Sequence, residues 1–188
     1  SGSNNNSITS SITNSNGQFG IFLNSSSSNN TITSSTANSN TEDGIYLSSS
    51  NNNTLTSSTV NSNTLYGIYL SSSSNNYIHD SNLSENVISD FYNAVSSNAH
   101  CNNNLTNMLG SGNRTIGYYN YSVILSNTNF SELFLCNADY SNLSNINVSG
   151  SESINNNALY LVQTDGSNLS NINSSNNYYG ISLSGSNN

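Results

Sequence analysis

Carboxylates are the first residues to test for chemistry, because two of them flanking a glycosidic bond can act as acid and base. Two groupings are close enough in sequence: Asp80 with Glu85 or Asp90, and Glu132 with Asp139. Either could supply a hydrolase pair, and the same residues also suit solvated turns. Lyase chemistry needs a cation to neutralise a uronate, and Arg114 is the only Lys or Arg in the 188 residues. Composition therefore argues against a lyase and leaves glycoside hydrolysis as the activity it excludes least. Metal chemistry has less support, because His79, His100, Met108, Cys101 and Cys136 show no ligand-like spacing. No catalytic residue, metal or cofactor is expected, and the chain reads as a non-enzyme.

Cys101 and Cys136 lie 35 residues apart. They read as a disulfide, as two small buried hydrophobes or as an intersubunit bridge, and the sequence does not choose among these. Acceptor sites for N-glycosylation are abundant: Asn24, Asn29, Asn52, Asn82, Asn104, Asn129, Asn142 and Asn168 each begin an Asn-x-Ser/Thr triplet. A net charge of −8 makes nucleic acid and anionic membrane poor partners. No apolar run reaches the ~18 residues that span a bilayer, so no membrane insertion is expected.

What must position any of these residues is a repeat. The chain is 32% hydrophobic and 5% charged, with no Pro, too apolar-poor for an ordinary globule. Its apolar residues nevertheless recur in register. One stripe runs Ile8, Ile32, Leu55, Ile78 and a second runs Thr13, Ala37, Val60, Leu83. Two more sit in GIFL, GIYL, GIYL and DFYN: Ile21, Ile45, Ile68, Phe91, and Leu23, Leu47, Leu70, Asn93. The period is 23 or 24 residues, and within each segment apolar and polar residues alternate as in half-buried strands. The pattern predicts an all-β, right-handed parallel β-helix of seven or eight coils, about 23–26 residues each, forming one domain over 1–188. Gly17, Gly20, Gly44, Gly67 and the Ser/Asn tracts supply its turns, and Asn30, Asn53 and Asn76 stack as a ladder.

The register loosens near 94–138. Cys101 keeps strict phase, Leu105 fits a longer coil, and 110–122 reads as an inserted loop. Order returns in DYSNLSNINVSG (139–150) and DGSNLSNINSSN (165–176), each leading to a GIYL equivalent, ALYL at 158 and GISL at 180.

Alternation that buries Ile45 and Leu47 must expose the residue between them. Phe22, Tyr46, Tyr69 and Tyr92, with Tyr160 as a later member, are expected to form an outward aromatic stripe. Stacked aromatics of this kind stabilise neighbouring coils, and they also suit contact with a glycan or a neighbouring subunit.

The run GIYLSSSSNNYIHDSNLSENVIS (67–89) and its relatives from 20 and 44 resemble the NosD-like parallel β-helix repeats of archaeal surface and secreted proteins. The resemblance is good over about 4–93 and partial over 139–188. It implies a right-handed β-helix, an exported location and a surface-coat or carbohydrate-associated role, and it transfers no catalytic residue.

Both termini carry SGSNN, and Ser1 stands where an initiator Met would be. The chain is expected to be a processed product or an excised fragment, with a whole number of turns and no polar cap. From these features the main expectation is an extracellular structural protein whose subunits stack head to tail into a homopolymer, with an axial repeat of roughly 34–38 Å. The alternative is a carbohydrate-binding or carbohydrate-processing module.

Overall fold

The apolar stripes become three short strands per coil because each buries one inward side chain or two before a turn. In the computed structural model, which describes residues 2–187, the strands run coil by coil. They are β1 (Ser7–Thr9) and β2 (Ile21–Leu23); β3 (Thr31–Thr33) and β4 (Ile45–Ser48); β5 (Thr54–Thr56), β6 (Thr59–Asn61) and β7 (Tyr66–Ser71); β8 (Tyr77–His79), β9 (Asn82–Ser84) and β10 (Ser89–Ala94); and β11 (Asn104–Thr106) with β12 (Leu109–Gly110). Strands one coil apart pair in parallel, with Ile8, Ile32, Leu55, Ile78 and Leu105 in one register and Ile21, Ile45 and Ile68 in another. The longer phase therefore holds at the fifth coil: Leu105 takes the stripe, while Cys101 ends a 3₁₀ turn over Asn98–Cys101 that absorbs the additional residues.

Corners turn through left-handed Ser and Asn residues. Ser10, Ser34, Ser57 and Asp80 have φ of 50, 51, 53 and 52°, and Asn29, Asn52 and Asn75 repeat this at a second corner. Short polar side chains that bond the local backbone tolerate this region, which is why the chain is Ser- and Asn-rich where apolar residues are absent.

Buried amides stack along the column. The ladder expected at Asn30, Asn53 and Asn76 extends from Asn6 to Asn103, each Oδ1 accepting from the backbone and side-chain amides of the rung before. A second ladder, Asn16, Asn40, Asn63 and Asn86, ends on the carboxylate of Asp90. Asn53 donates to Ser27 O, Asn51 O and Asn76 Oδ1, all at 3.1 Å. Asn53→Ala is expected to cost about 2–4 kcal/mol in denaturant unfolding, because buried partners lose their bonds. Asn82→Ala, on an exposed strand position, is expected to stay within about 0.5 kcal/mol.

At 110–114 the chain reverses. Residues 110–122, expected as an inserted loop, instead form a tight turn with Gly112 at φ 68°, followed by a strand antiparallel to β12. Seven further strands follow: β13 (Arg114–Tyr119), β14 (Ile124–Phe130), β15 (Glu132–Cys136), β16 (Asn142–Ser149), β17 (Leu159–Val162), β18 (Asn168–Ser175) and β19 (Ile181–Ser184). They coil with two strands per turn, β13, β15, β17 and β19 in one parallel layer and β14, β16 and β18 in the other.

This second unit does not continue the axis of the first. Were β13, β15 and β17 stacked further along the column, β17 would lie two rungs beyond β13. Yet Tyr160 Oη lies 2.8 Å from Ser89 Oγ, Asn157 N donates to Ile88 O, and Phe91 N donates to Glu132 Oε2. The three strands therefore lie across the end of the column. One face, with Ile116, Tyr118, Phe134, Cys136, Tyr160 and Val162, closes the first core. The other, with Leu133, Leu135, Leu159 and Leu161, builds a second core against Phe130, Leu143, Ile146 and Val148. A disulfide joins Cys101 of the last coil to Cys136 of β15. The two SGSNN segments consequently sit in different units: 2–5 beside Ser27 and Ser28, 184–187 beside Thr164 and Asp165.

Candidate functional site

The acidic pairs expected from spacing are not brought together as pairs. Asp80 sits at a corner, bonded to His79 and Asn107. Glu85 sits at another, where both its oxygens accept from Ser151 Oγ at 2.6 and 2.7 Å. Asp139 accepts from Asp165 N. The two carboxyls that do meet, Asp90 and Glu132, are fully buried where the two units join, out of reach of any substrate. Asp90 accepts five bonds, from Asn86 N, Asn86 Nδ2, Asn156 Nδ2, Ser111 N and Asn157 Nδ2. Glu132 accepts from Phe91 N at 3.0 Å, and its Oε1 has no partner among the described residues. Burial, then the neighbouring Asp90, pushes the Glu132 carboxyl well above its ordinary value, and burial raises Asp90 as well.

The aromatic stripe does form. Phe22, Tyr46 and Tyr69 stack with centroids 5.0 and 4.7 Å apart and planes within 18 and 10°, and Tyr92 follows at 6.0 Å. Phe19 and Tyr66 widen it, Tyr66 stacking on Tyr92 at 4.9 Å. Coil spacing matches ring spacing, so each ring covers its neighbour's face and presents mainly edges and hydroxyls. Tyr160 is not a member. It is 2% exposed, wedged against Phe134 and Tyr92 in the closing layer.

The concave site lies elsewhere, in the angle between β11 and β13. A cleft of about 540 Å³ is lined by Asn103–Asn107 on one side and Thr115–Tyr121 on the other. Its floor is fixed by Tyr118, whose hydroxyl donates to Cys101 O at 2.8 Å and accepts from Asn93 Nδ2 at 3.0 Å. Tyr119 packs against the second core, and Tyr121 meets it edge to face at 6.0 Å and is 62% exposed. Asn103, Asn104 and Asn120 also line an adjoining hollow that reaches Tyr77. From there the outer face of the column continues as two rows in register, Ser7, Thr31, Thr54, Tyr77, Asn104 and Thr9, Thr33, Thr56, His79, Thr106. Tyr77 stacks on His79 at 4.3 Å.

The eight acceptor asparagines are all exposed. Asn104 lies in the cleft, and Asn142 and Asn168 are stacked rungs whose side chains bond at 3.3 Å, too close for both to carry a glycan. Among the described residues no helix is long and apolar enough to cross a membrane.

Three-sided coils in parallel register, with amide ladders and an apolar stripe or two per side, define a β-helix. The chain belongs to the family described as the right handed beta helix region, whose model matches residues 1–122. No curated protein matches it in sequence. Among solved structures it is similar to the A-module of the mannuronan C-5 epimerase AlgE6 of Azotobacter vinelandii, at 15% identity and a TM-score of 0.45 over 98% of this chain. The chain spans 54% of that module's length.

Proposed function

We propose that this chain is a carbohydrate-binding β-helix whose site is the cleft between β11 and β13. The observation that carries the reading is the lining of that cleft, the exposed ring of Tyr121 beside the uncharged donors and acceptors of Asn104, Thr106, Asn107, Thr115 and Asn120. Sugars offer the matching surfaces, apolar C–H faces and hydroxyls that both donate and accept. Catalysis is not part of the proposal, because the coupled carboxyls are buried away from the cleft. An exported, NosD-like surface protein fits this role, supported by the disulfide, which persists in oxidising compartments, and by the exposed acceptor asparagines. Head-to-tail stacking into a filament has less support, since β13, β15 and β17 already occupy one end of the first column.

Titration with neutral hexasaccharides of glucose, mannose, galactose and N-acetylglucosamine tests the reading. At least one should bind, and Tyr121→Ala should weaken it about tenfold or more. Tyr46→Ser with Tyr69→Ser should leave binding unchanged. Loss of binding in the latter variant alone would move the site to the aromatic stripe.

A further inference from the structure

Asp80 stands beside the cleft, outside its lining, and is hydrogen-bonded to a residue of that lining. Its Oδ1 accepts from Nδ2 of Asn107, a cleft residue, at 3.0 Å, and its Oδ2 lies 2.7 Å from His79 Nδ1. Those bonds, that of His79 first, hold the carboxyl below its ordinary value, and half the side chain is exposed. An anion accepts at both oxygens, so His79 Nδ1 is the donor. A carboxylate thus adjoins the cleft, one rung from Thr106 in the cleft wall. Its basic neighbour is His79, 2.7 Å away. Arg114, the only Lys or Arg, donates to the carbonyls of Ser149 and Gly150, and the chain as a whole carries −8. A sugar hydroxyl can donate to this carboxylate. A uronate carboxylate cannot, and it meets Asp80 as a like charge.

We infer that Asp80 is a specificity-determining residue, making the cleft accept neutral glycans and exclude glycans built of uronic acids. The inference rests on the carbohydrate reading of the cleft.

Matched hexasaccharide pairs differing only at C6, alcohol or carboxylate, in the gluco, manno and galacto series, separate the two claims when titrated at pH 8 and low salt. The neutral member of the bound series should bind roughly five- to tenfold tighter than its uronate. In Asp80→Asn the gap should close to within about twofold, through a gain for the uronate, with the thermal midpoint unchanged. In 0.5 M NaCl the wild-type gap should shrink, as charge discrimination at an exposed site is screened. Equal or tighter uronate binding by the wild type, or a gap that survives Asp80→Asn, overturns the inference and leaves the carbohydrate reading intact. Binding of none of the six overturns both.

Discussion

Phe134→Ala is expected to lower stability by about 3–5 kcal/mol, as for other large aromatic truncations at sites that cannot collapse. The ring is fully buried and touches residues of both units: Phe91 at 6.0 Å, Tyr118 at 5.7 Å, Tyr160 at 5.0 Å and Tyr92 at 6.2 Å. It is the apolar centre of the layer that closes the column, so its loss should act locally as well as globally. Hydrogen exchange should rise first in β13, β15 and β17 and in the last coil, while β4 and β5 keep their protection. Leu135→Ala, one residue along, removes packing from the second core only and should spare the last coil of the first column. Equal loss of protection along the whole column in Phe134→Ala would show that the closing layer is not a separate contact.

Stability is expected to fall as pH rises from about 4 to 6. Burial, partly offset by a hydrogen bond from Tyr66 N and reinforced by Glu42, pushes Asp43 from 3.8 up to about 6, and Glu132 is held well above 4.5. A carboxyl whose folded value is raised binds its proton more tightly when folded. Its contribution is therefore fully present below the unfolded value and is lost as pH rises through the folded one. For Asp43 that window is about 4 to 6, and the loss is about 2 kcal/mol after allowance for partial solvent screening. Glu132, raised well above 4.5, adds to the decline in the same sense. Asp80 works in the opposite sense, but its value is lowered, so its effect falls below this window. Denaturant midpoints measured at half-unit steps should decline through the range, and Asp43→Asn combined with Glu132→Gln should flatten the curve. A midpoint that climbs between pH 4 and 6 would contradict the assignment.

The first column was legible because its stripes repeat at 23 or 24 residues with alternation inside each strand. The second amide ladder was equally legible, since Asn16, Asn40, Asn63 and Asn86 share that period, but polar residues are easily read as turns. The second unit was harder to see. LFLC at 133–136 and ALYLV at 158–162 are continuous apolar runs, the mark of strands buried on both faces. ALYL corresponds to GIYL by position, which predicts Tyr160 outside, whereas the continuous apolar run buries it. The reversal at Gly110–Asn113 and the cleft it creates leave no periodic trace, because they depend on which layer covers the end of the column. Tyr119 and Tyr121 lay inside the segment expected as a loop, and nothing in their spacing set them apart.

Amide chemical-shift mapping of the labelled protein with the neutral hexasaccharides tests the central claim most directly. Shifts are predicted at Asn104, Thr106, Asn107, Thr115, Asn120 and Tyr121, on both walls of the angle between β11 and β13. Shifts confined to Phe22, Tyr46 and Tyr69, or no shifts with any of the sugars, would contradict it.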